Sequence, residues 1–352
     1  IGPKRAIIGI VVGCGVLTYG GISLFVVVFA MYPLALELFR EANITRKLIP
    51  GAIALGSFTF TMTAIPGTPQ IQNMIPTKYF GTTPTAAPIM GSVAAILMFI
   101  LGVSWLTYRQ KKFEAKGEFF TEPKNREGEV VDYAALPNPY LYMLPLIMVI
   151  ALMNVLNSFV KAGKLEMDAV GTLIIALIAG IVLSMVLNPG KRLGFTKSVS
   201  AGAAGSMTAI LNTAAAVGFG TVVKSVPGFA ELTRVLLNIP GTPLISEAVA
   251  VNLLAGATGS ASGGMSIALE ALGGKYLEIA QATGISPEAF HRVASLASGG
   301  LDTLPHNGAV LTLLAVTGMT HKESYIDIGM TYLVLPLVAS IPSILLGSLG
   351  II

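Results

Sequence analysis

The sequence predicts an all-α polytopic membrane protein made of inverted structural repeats, each with a re-entrant hairpin and a broken transmembrane helix. Three observations carry this. Charged residues make up 11% of the 352 positions against 53% hydrophobic, and mean hydropathy is +0.76, whereas a soluble domain carries about a quarter charged residues. Apolar runs at 88–106, 140–160, 168–187 and 325–352 approach or exceed the roughly 20 residues that cross a hydrocarbon core. Finally, a glycine- and hydroxyl-rich segment followed about forty residues later by a proline-centred one occurs twice, the mark of an internal repeat.

Taken in order, Gly20, Gly21, Ile22 and Ser23 interrupt an apolar stretch too long and too glycine-rich for one plain helix, so the first hairpin turns there. Pro66 sits in the middle of the next helix-length apolar stretch. A proline at that place removes a hydrogen bond and clashes with the preceding turn, so the helix breaks. The 88–106 span closes the first repeat, residues 1–108, with Trp105 and Tyr108 as an interfacial aromatic anchor. Residues 109–139 are hydrophilic and read as a cytoplasmic linker. The second repeat, 140–352, supplies spans at Tyr140–Val160, Asp168–Leu187 and Lys197–Val217, then a second hairpin between Gly256 and Ser266. There Gly263, Gly264, Met265 and Ser266 match the first glycine pair, and the segment Asp302–Gly308, centred on Pro305, matches Thr63–Pro69.

Placing the linker inside also gathers Lys4, Arg5, Arg40, Arg46, Lys47, Lys191, Arg192, Lys197 and Lys322 on that side. Lys78, Lys161, Lys164, Lys224, Arg234, Lys275 and Arg292 are left outside, a bias that follows the positive-inside rule. On this topology the two hairpins enter from opposite sides, the pattern of secondary transporters. The first repeat starts almost at its hairpin, so the repeat comparison predicts about 100 further N-terminal residues in the native protein.

A helix that stops inside a membrane aims unpaired N–H groups and about half a positive charge at the gap, which suits a carboxylate. The residues expected to bind substrate are Thr18, Gly20, Gly21, Ser23, Thr63, Gly67, Thr68, Ser260, Ser262, Gly263, Gly264, Ser266, Thr303, His306 and Asn307. Their hydroxyls suit a small hydroxy acid. Asp302 and His306 are ionisable groups within a span and are expected to couple an ion, a proton or alternatively sodium. A local pair capping the two half-helices is the competing reading. Glu37, Glu247, Glu270 and Asp327 lie near span ends and read as solvated, and Asn212 and Asn252 as interhelical hydrogen-bonding groups. Cys14 has no partner for a disulfide or metal and reads as packing; no cofactor is expected. The pI near 9.1 comes from basic residues at helix ends, not from a nucleic-acid motif. An intramembrane hydrolase would use Ser298, Asp302 and His306, but no nucleophile motif accompanies them. A passive anion channel remains a third class.

The runs 57–70 (SFTFTMTAIPGTPQ), 80–84 (FGTTP), 299–308 (GGLDTLPHNG) and 317–323 (TGMTHKE) resemble the gluconate permease (GntP) family of the ion transporter superfamily. The resemblance covers most of the chain. It implies proton-coupled symport of a small hydroxy monocarboxylate, gluconate-like or 3-hydroxybutyrate, in a bacterial inner membrane. Phe58 and Phe60 beside the first break look closer to members for short hydroxy acids. It further implies a homodimer in the lipid bilayer, with a fixed scaffold and a moving transport domain in an elevator-like cycle.

Overall fold

The structure is a computed structural model that describes residues 5–123, 141, 143–189, 194–200, 202–204, 207, 211, 222 and 226–352. Every regular element among the described residues is helical. The chain divides into two compact units, Ile1–Thr121 with Ala215–Ile352, and Glu122–Ala214. The expected second repeat, 140–352, is thus shared between them. In the smaller unit, α7 (Leu144–Lys161) packs on α8 (Ala169–Val186). Val149, Met153 and Ala176 form its core, and the Asp168 carboxylate caps α8 by accepting the Gly171 N–H at 2.8 Å. The span expected at Lys197–Val217 falls largely outside the described residues.

The larger unit begins with a helical hairpin. α1 (Ala6–Tyr19) and α2 (Leu24–Glu41) are joined by Gly20–Ser23, where Gly21 takes φ +90°, a conformation that glycine adopts at little steric cost. α3 (Ile49–Ser57) then gives way to a single turn, α4 (Phe60–Thr63), and an irregular segment runs to α5 (Ile71–Phe80). Pro66 and Pro69 lie in that segment, so the expected break is present; the helix is first interrupted upstream of both prolines, after Ser57. α6 (Pro88–Glu114) closes the set.

A second set follows the short α9 (Pro227–Leu237). α10 (Pro243–Thr258) and α11 (Ala261–Thr283) form a hairpin, and α12 (Pro287–Ser298) ends before Gly299. A 3-10 turn, Leu301–Thr303, and an extended stretch around Pro305 lead to α13 (Gly308–Thr317). α14 (His321–Ile328), a π-helical turn (Gly329–Val334) and α15 (Leu335–Ser348) complete the chain.

Packing relations in the first set recur in the second. α1 lies on α3 as α10 lies on α12; α2 lies on α13 as α11 lies on α5; and α6 lies on α15, its own counterpart. Each hairpin therefore packs one arm on the leading half of its own broken helix and the other arm on the trailing half of the other. Two apolar cores result. One gathers Val11, Leu36, Ile53, Val310 and Leu313, the other Phe80, Leu244, Leu269, Tyr276 and Phe290.

The second hairpin corrects the sequence match. Its turn is Gly259 (φ +61°) followed by Ser260, which caps α11 by accepting the Gly263 N–H at 3.1 Å. Ser262, Gly263, Gly264 and Ser266 belong to α11 and not to the tip. A Cβ on Gly264 would overlap the backbone of Leu254 and Ala255. The glycine thus serves close helix approach, a common device in membrane bundles.

Large apolar side chains line the outside in helical stripes: Ile8, Val12 and Val16 on α1, and Ile89, Val93, Ile96 and Ile100 on α6. Such contiguous exposed stripes are rare on soluble monomers and mark a bilayer-facing surface. Pro88–Glu114 and His321–Ser348 are long and apolar enough to cross a membrane. The Pro88–Glu114 helix runs past the expected boundary at 108. Arg109, assigned to the linker, instead uses Nε (2.7 Å) and Nη2 (3.2 Å) to hold the carboxylate of Asp327, which also accepts Trp105 Nε1–H at 3.0 Å. Asp327 is fully buried, so neither solvation nor a simple aromatic anchor describes this corner. It ties α6 to α14.

Candidate substrate and ion site

At the first break two prolines without N–H groups leave neighbouring carbonyls unclaimed by helix, and side chains take them up. Gly67 (φ +84°) turns the chain and donates its N–H to Pro84 O at 2.9 Å. Gln70 Nε2 donates to the carbonyls of Thr18 (2.6 Å) and Ile22 (3.2 Å) in the first hairpin tip. Tyr19 OH donates to Pro66 O at 3.1 Å. α5 starts directly after Gln70 with no side-chain cap. The hydroxyls of Thr18 and Thr68 are buried beside this segment with no hydrogen-bond partner among the described residues.

At the second break the Asp302 carboxylate is fully buried and accepts the Gly300 N–H (2.8 Å), Tyr332 OH (2.6 Å) and Thr303 OH (3.3 Å). Asn307 caps α13, its Oδ1 accepting from Ala309 N (2.7 Å) and Val310 N (2.9 Å). Its Nδ2 donates to Gly259 O in the second tip at 3.1 Å. That bond spans 48 residues, as does the bond from Gln70 to Ile22. Each break is laced to its own hairpin tip by an amide side chain in the same relative place.

The π-helical turn delivers Tyr332 to Asp302, and local π geometry often accompanies functional sites. The Tyr332 ring meets Phe58 edge-on at 5.3 Å, joining the second break to the first. The breaks also touch directly. Ser295 OH donates to Thr63 O at 2.8 Å, and a Cβ on Gly299 would lie 3.2 Å from Thr63 Cγ2.

No family model matches the chain. It is 44% identical over 356 aligned positions to a protein of Bacillus subtilis (strain 168) named "Uncharacterized transporter YxjC", an alignment that takes in 93% of this chain and 75% of that one. The chain belongs to this transporter family.

Against that membership, the residues expected to bind substrate fall into groups. Thr18, Gly20, Gly21, Gly67 and Thr68 gather at the first tip and break; Ser260, Thr303 and Asn307 gather at the second. Thr63 is the contact between the breaks, with its own hydroxyl returned to Thr59 O at 3.1 Å. Ser23 is the exposed N-cap residue of α2. His306 is exposed and lays its ring over Gly259, while Asp302 points inward. The segment between them is 3-10 and extended, so four positions do not bring them to one face as an α-helix would. Ser298 donates to Ser295 O at 2.7 Å, which is no nucleophile–base arrangement with His306.

Sequence reasoning missed the centre of α12. Arg292, expected in an outside loop, is fully buried. Its guanidinium donates to Ala86 O (2.6 and 3.2 Å), Thr63 O (3.3 Å) and Asn73 Oδ1 (3.0 Å). His291, also fully buried, bridges Thr82 (2.6 Å) and Asn73 (3.2 Å). Asn73 Nδ2 donates in turn to Thr68 O (2.8 Å) and Pro84 O (2.7 Å). A fixed cation thus backs the first break and a carboxylate the second. The adjacent His291 and Arg292, followed by Ser295 and Ser298 on a helix that leads into the second break, were the available signal.

Proposed function

We propose that this chain is a secondary active transporter that carries a small hydroxy monocarboxylate, 3-hydroxybutyrate or gluconate-like, in symport with protons. The observation that carries the substrate class is the pair of buried, unpartnered hydroxyls, Thr18 and Thr68, beside the uncapped start of α5. Buried hydroxyls seldom go without a partner, and a ligand carboxylate supplies acceptors for both. The α5 N-terminus and the Arg292 cation behind it favour negative charge there. The second break, with Thr303, Asn307, Gly259 and exposed His306, then takes the substrate's hydroxyl end.

For coupling, Asp302 is the proposed ion-responsive group. Its neighbours are N–H and O–H donors, not a cage of carbonyl oxygens of the kind that holds a hard cation, which supports a proton over sodium. The corresponding packing of the two helix sets supports reading them as inverted repeats whose hairpins are re-entrant. With the resemblance to gluconate permeases, it supports an elevator-like homodimer in an inner membrane.

The test is uptake into proteoliposomes of labelled 3-hydroxybutyrate, with gluconate, butyrate and glycerol as competitors. Competition by gluconate and not by glycerol is expected. Equal competition by all three would remove the carboxylate site.

A further inference from the structure

Outside the junction, α10 carries a second ionisable group in an unusual setting. Glu247 is fully buried, and neither of its carboxyl oxygens has a hydrogen-bond partner among the described residues. An ionised carboxylate is an acceptor-only group that needs donors or a cation when it leaves water. Asp302 shows what such support looks like. Glu247 has none of it.

The helices packed on α10 supply no compensating charge. α9 brings Glu231 and Arg234, which are exposed and paired with each other. α11 brings Lys275 and Glu278, exposed and paired with each other, and Glu270, which accepts from Tyr79. It also brings Tyr276, whose hydroxyl is shared with Ser246 at 3.0 Å. α12 brings Glu288, His291 and Arg292, already bonded to Ala87, Thr82, Asn73 and neighbouring carbonyls. The 3-10 turn brings Asp302, and α15 brings no ionisable side chain. No cation lies within salt-bridge distance of Glu247 among the described residues. Burial without donors or a cation favours the neutral acid over the carboxylate.

Glu247 lies near the start of its helix. It stands four residues after Pro243, the first residue of α10, roughly 6 Å along the helix axis, and the preceding Pro240 and Gly241 are exposed. A shift of the hairpin that wets this end of α10 would let the proton leave. α10 packs on both α12 and the Leu301–Thr303 turn, so such a shift also moves the second break.

We infer that Glu247 is a second proton-bearing group of the transport cycle, holding its proton in this conformation and releasing it when the α10–α11 hairpin moves relative to its surroundings. This rests on the symport reading above. It adds a proton site that is separate from Asp302 and does not touch the substrate.

The test uses the full-length protein in proteoliposomes and two readouts. Infrared spectra of wild type should show a protonated-carboxyl carbonyl band that is lost in Glu247→Gln and kept in Glu270→Gln. In transport, Glu247→Gln should retain substrate counterflow, because the amide mimics the neutral acid and exchange needs no net proton movement. It should lose proton-driven accumulation by on the order of tenfold or more, the range of ordinary coupling energies. An unchanged spectrum in Glu247→Gln, or accumulation equal to wild type, overturns the inference. If wild type carries no hydroxy acid, the symport reading fails, while the infrared band still decides whether Glu247 bears a proton.

Discussion

Gln70 donates its side-chain amide to the carbonyl of Ile22 at 3.2 Å, and the second half of the chain repeats the relationship with Asn307 and Gly259. In both, the last residue before a trailing half-helix ties a broken helix to the tip of a hairpin. Gln70 also reaches a second carbonyl, Thr18 O at 2.6 Å, whereas Asn307 also caps α13. Gln70→Ala removes two hydrogen bonds and should cost about 2 kcal/mol, and Asn307→Ala removes one bond and a cap and should cost roughly 2–3 kcal/mol. Thermal unfolding in detergent reads both.

Thr18 and Thr68 separate binding from stability. Their hydroxyls have no partner among the described residues, so Thr18→Val and Thr68→Val should leave the melting temperature unchanged or slightly raised. Substrate binding should weaken by roughly tenfold or more in each, as when a site loses a group that meets a polar ligand. Concentration dependence of uptake, measured beside thermal unfolding, distinguishes this from a packing role, in which both quantities would stay at wild-type values.

Tyr332→Phe keeps the ring that meets Phe58 and deletes the hydroxyl that reaches Asp302. Leaving a buried carboxylate short of a donor should cost about 1–3 kcal/mol. Transport should fall with it, since the same bond fixes the second break. Unfolding and uptake of this variant, compared with Tyr325→Phe, report the size of the effect.

Arg292 holds three carbonyl and amide acceptors in one planar fork. Arg292→Met strands Ala86 O, leaves Thr63 O and Asn73 Oδ1 to Ser295 and His291 alone, and should destabilise by about 1–3 kcal/mol. Arg292→Lys keeps the charge without the fork and should recover part of the stability and of the substrate affinity. Recovery of neither would contradict the anion-favouring role given to the cation.

Composition and two prolines were enough to expect a helical membrane protein with breaks at Pro66 and Pro305, because a proline acts on its own backbone wherever it stands. The hairpin turns were legible from glycine, although the match of Gly20–Ser23 to Gly263–Ser266 was out of register. Glycine marks both a turn and a close helix contact, and only the packing of Gly264 on Ala255 tells them apart. The charged groups were the least legible. Arg292, Glu247 and Asp327 sit where topology counting places loops or span ends, yet each is fully buried. Their burial comes from helix packing: α12 against the first break and α6 against α14, each distant in sequence, and α10 against its hairpin partner α11. Tyr332 was invisible for the same reason, since its path to Asp302 depends on a π-helical turn thirty residues away.

The most direct test of proton-coupled hydroxy-acid transport is accumulation of labelled 3-hydroxybutyrate in proteoliposomes under an imposed proton gradient, with a sodium gradient and Asp302→Asn run in parallel. The account predicts uphill accumulation with the proton gradient alone and its loss in Asp302→Asn. Accumulation driven by sodium, or an Asp302→Asn variant that accumulates as wild type does, would contradict it.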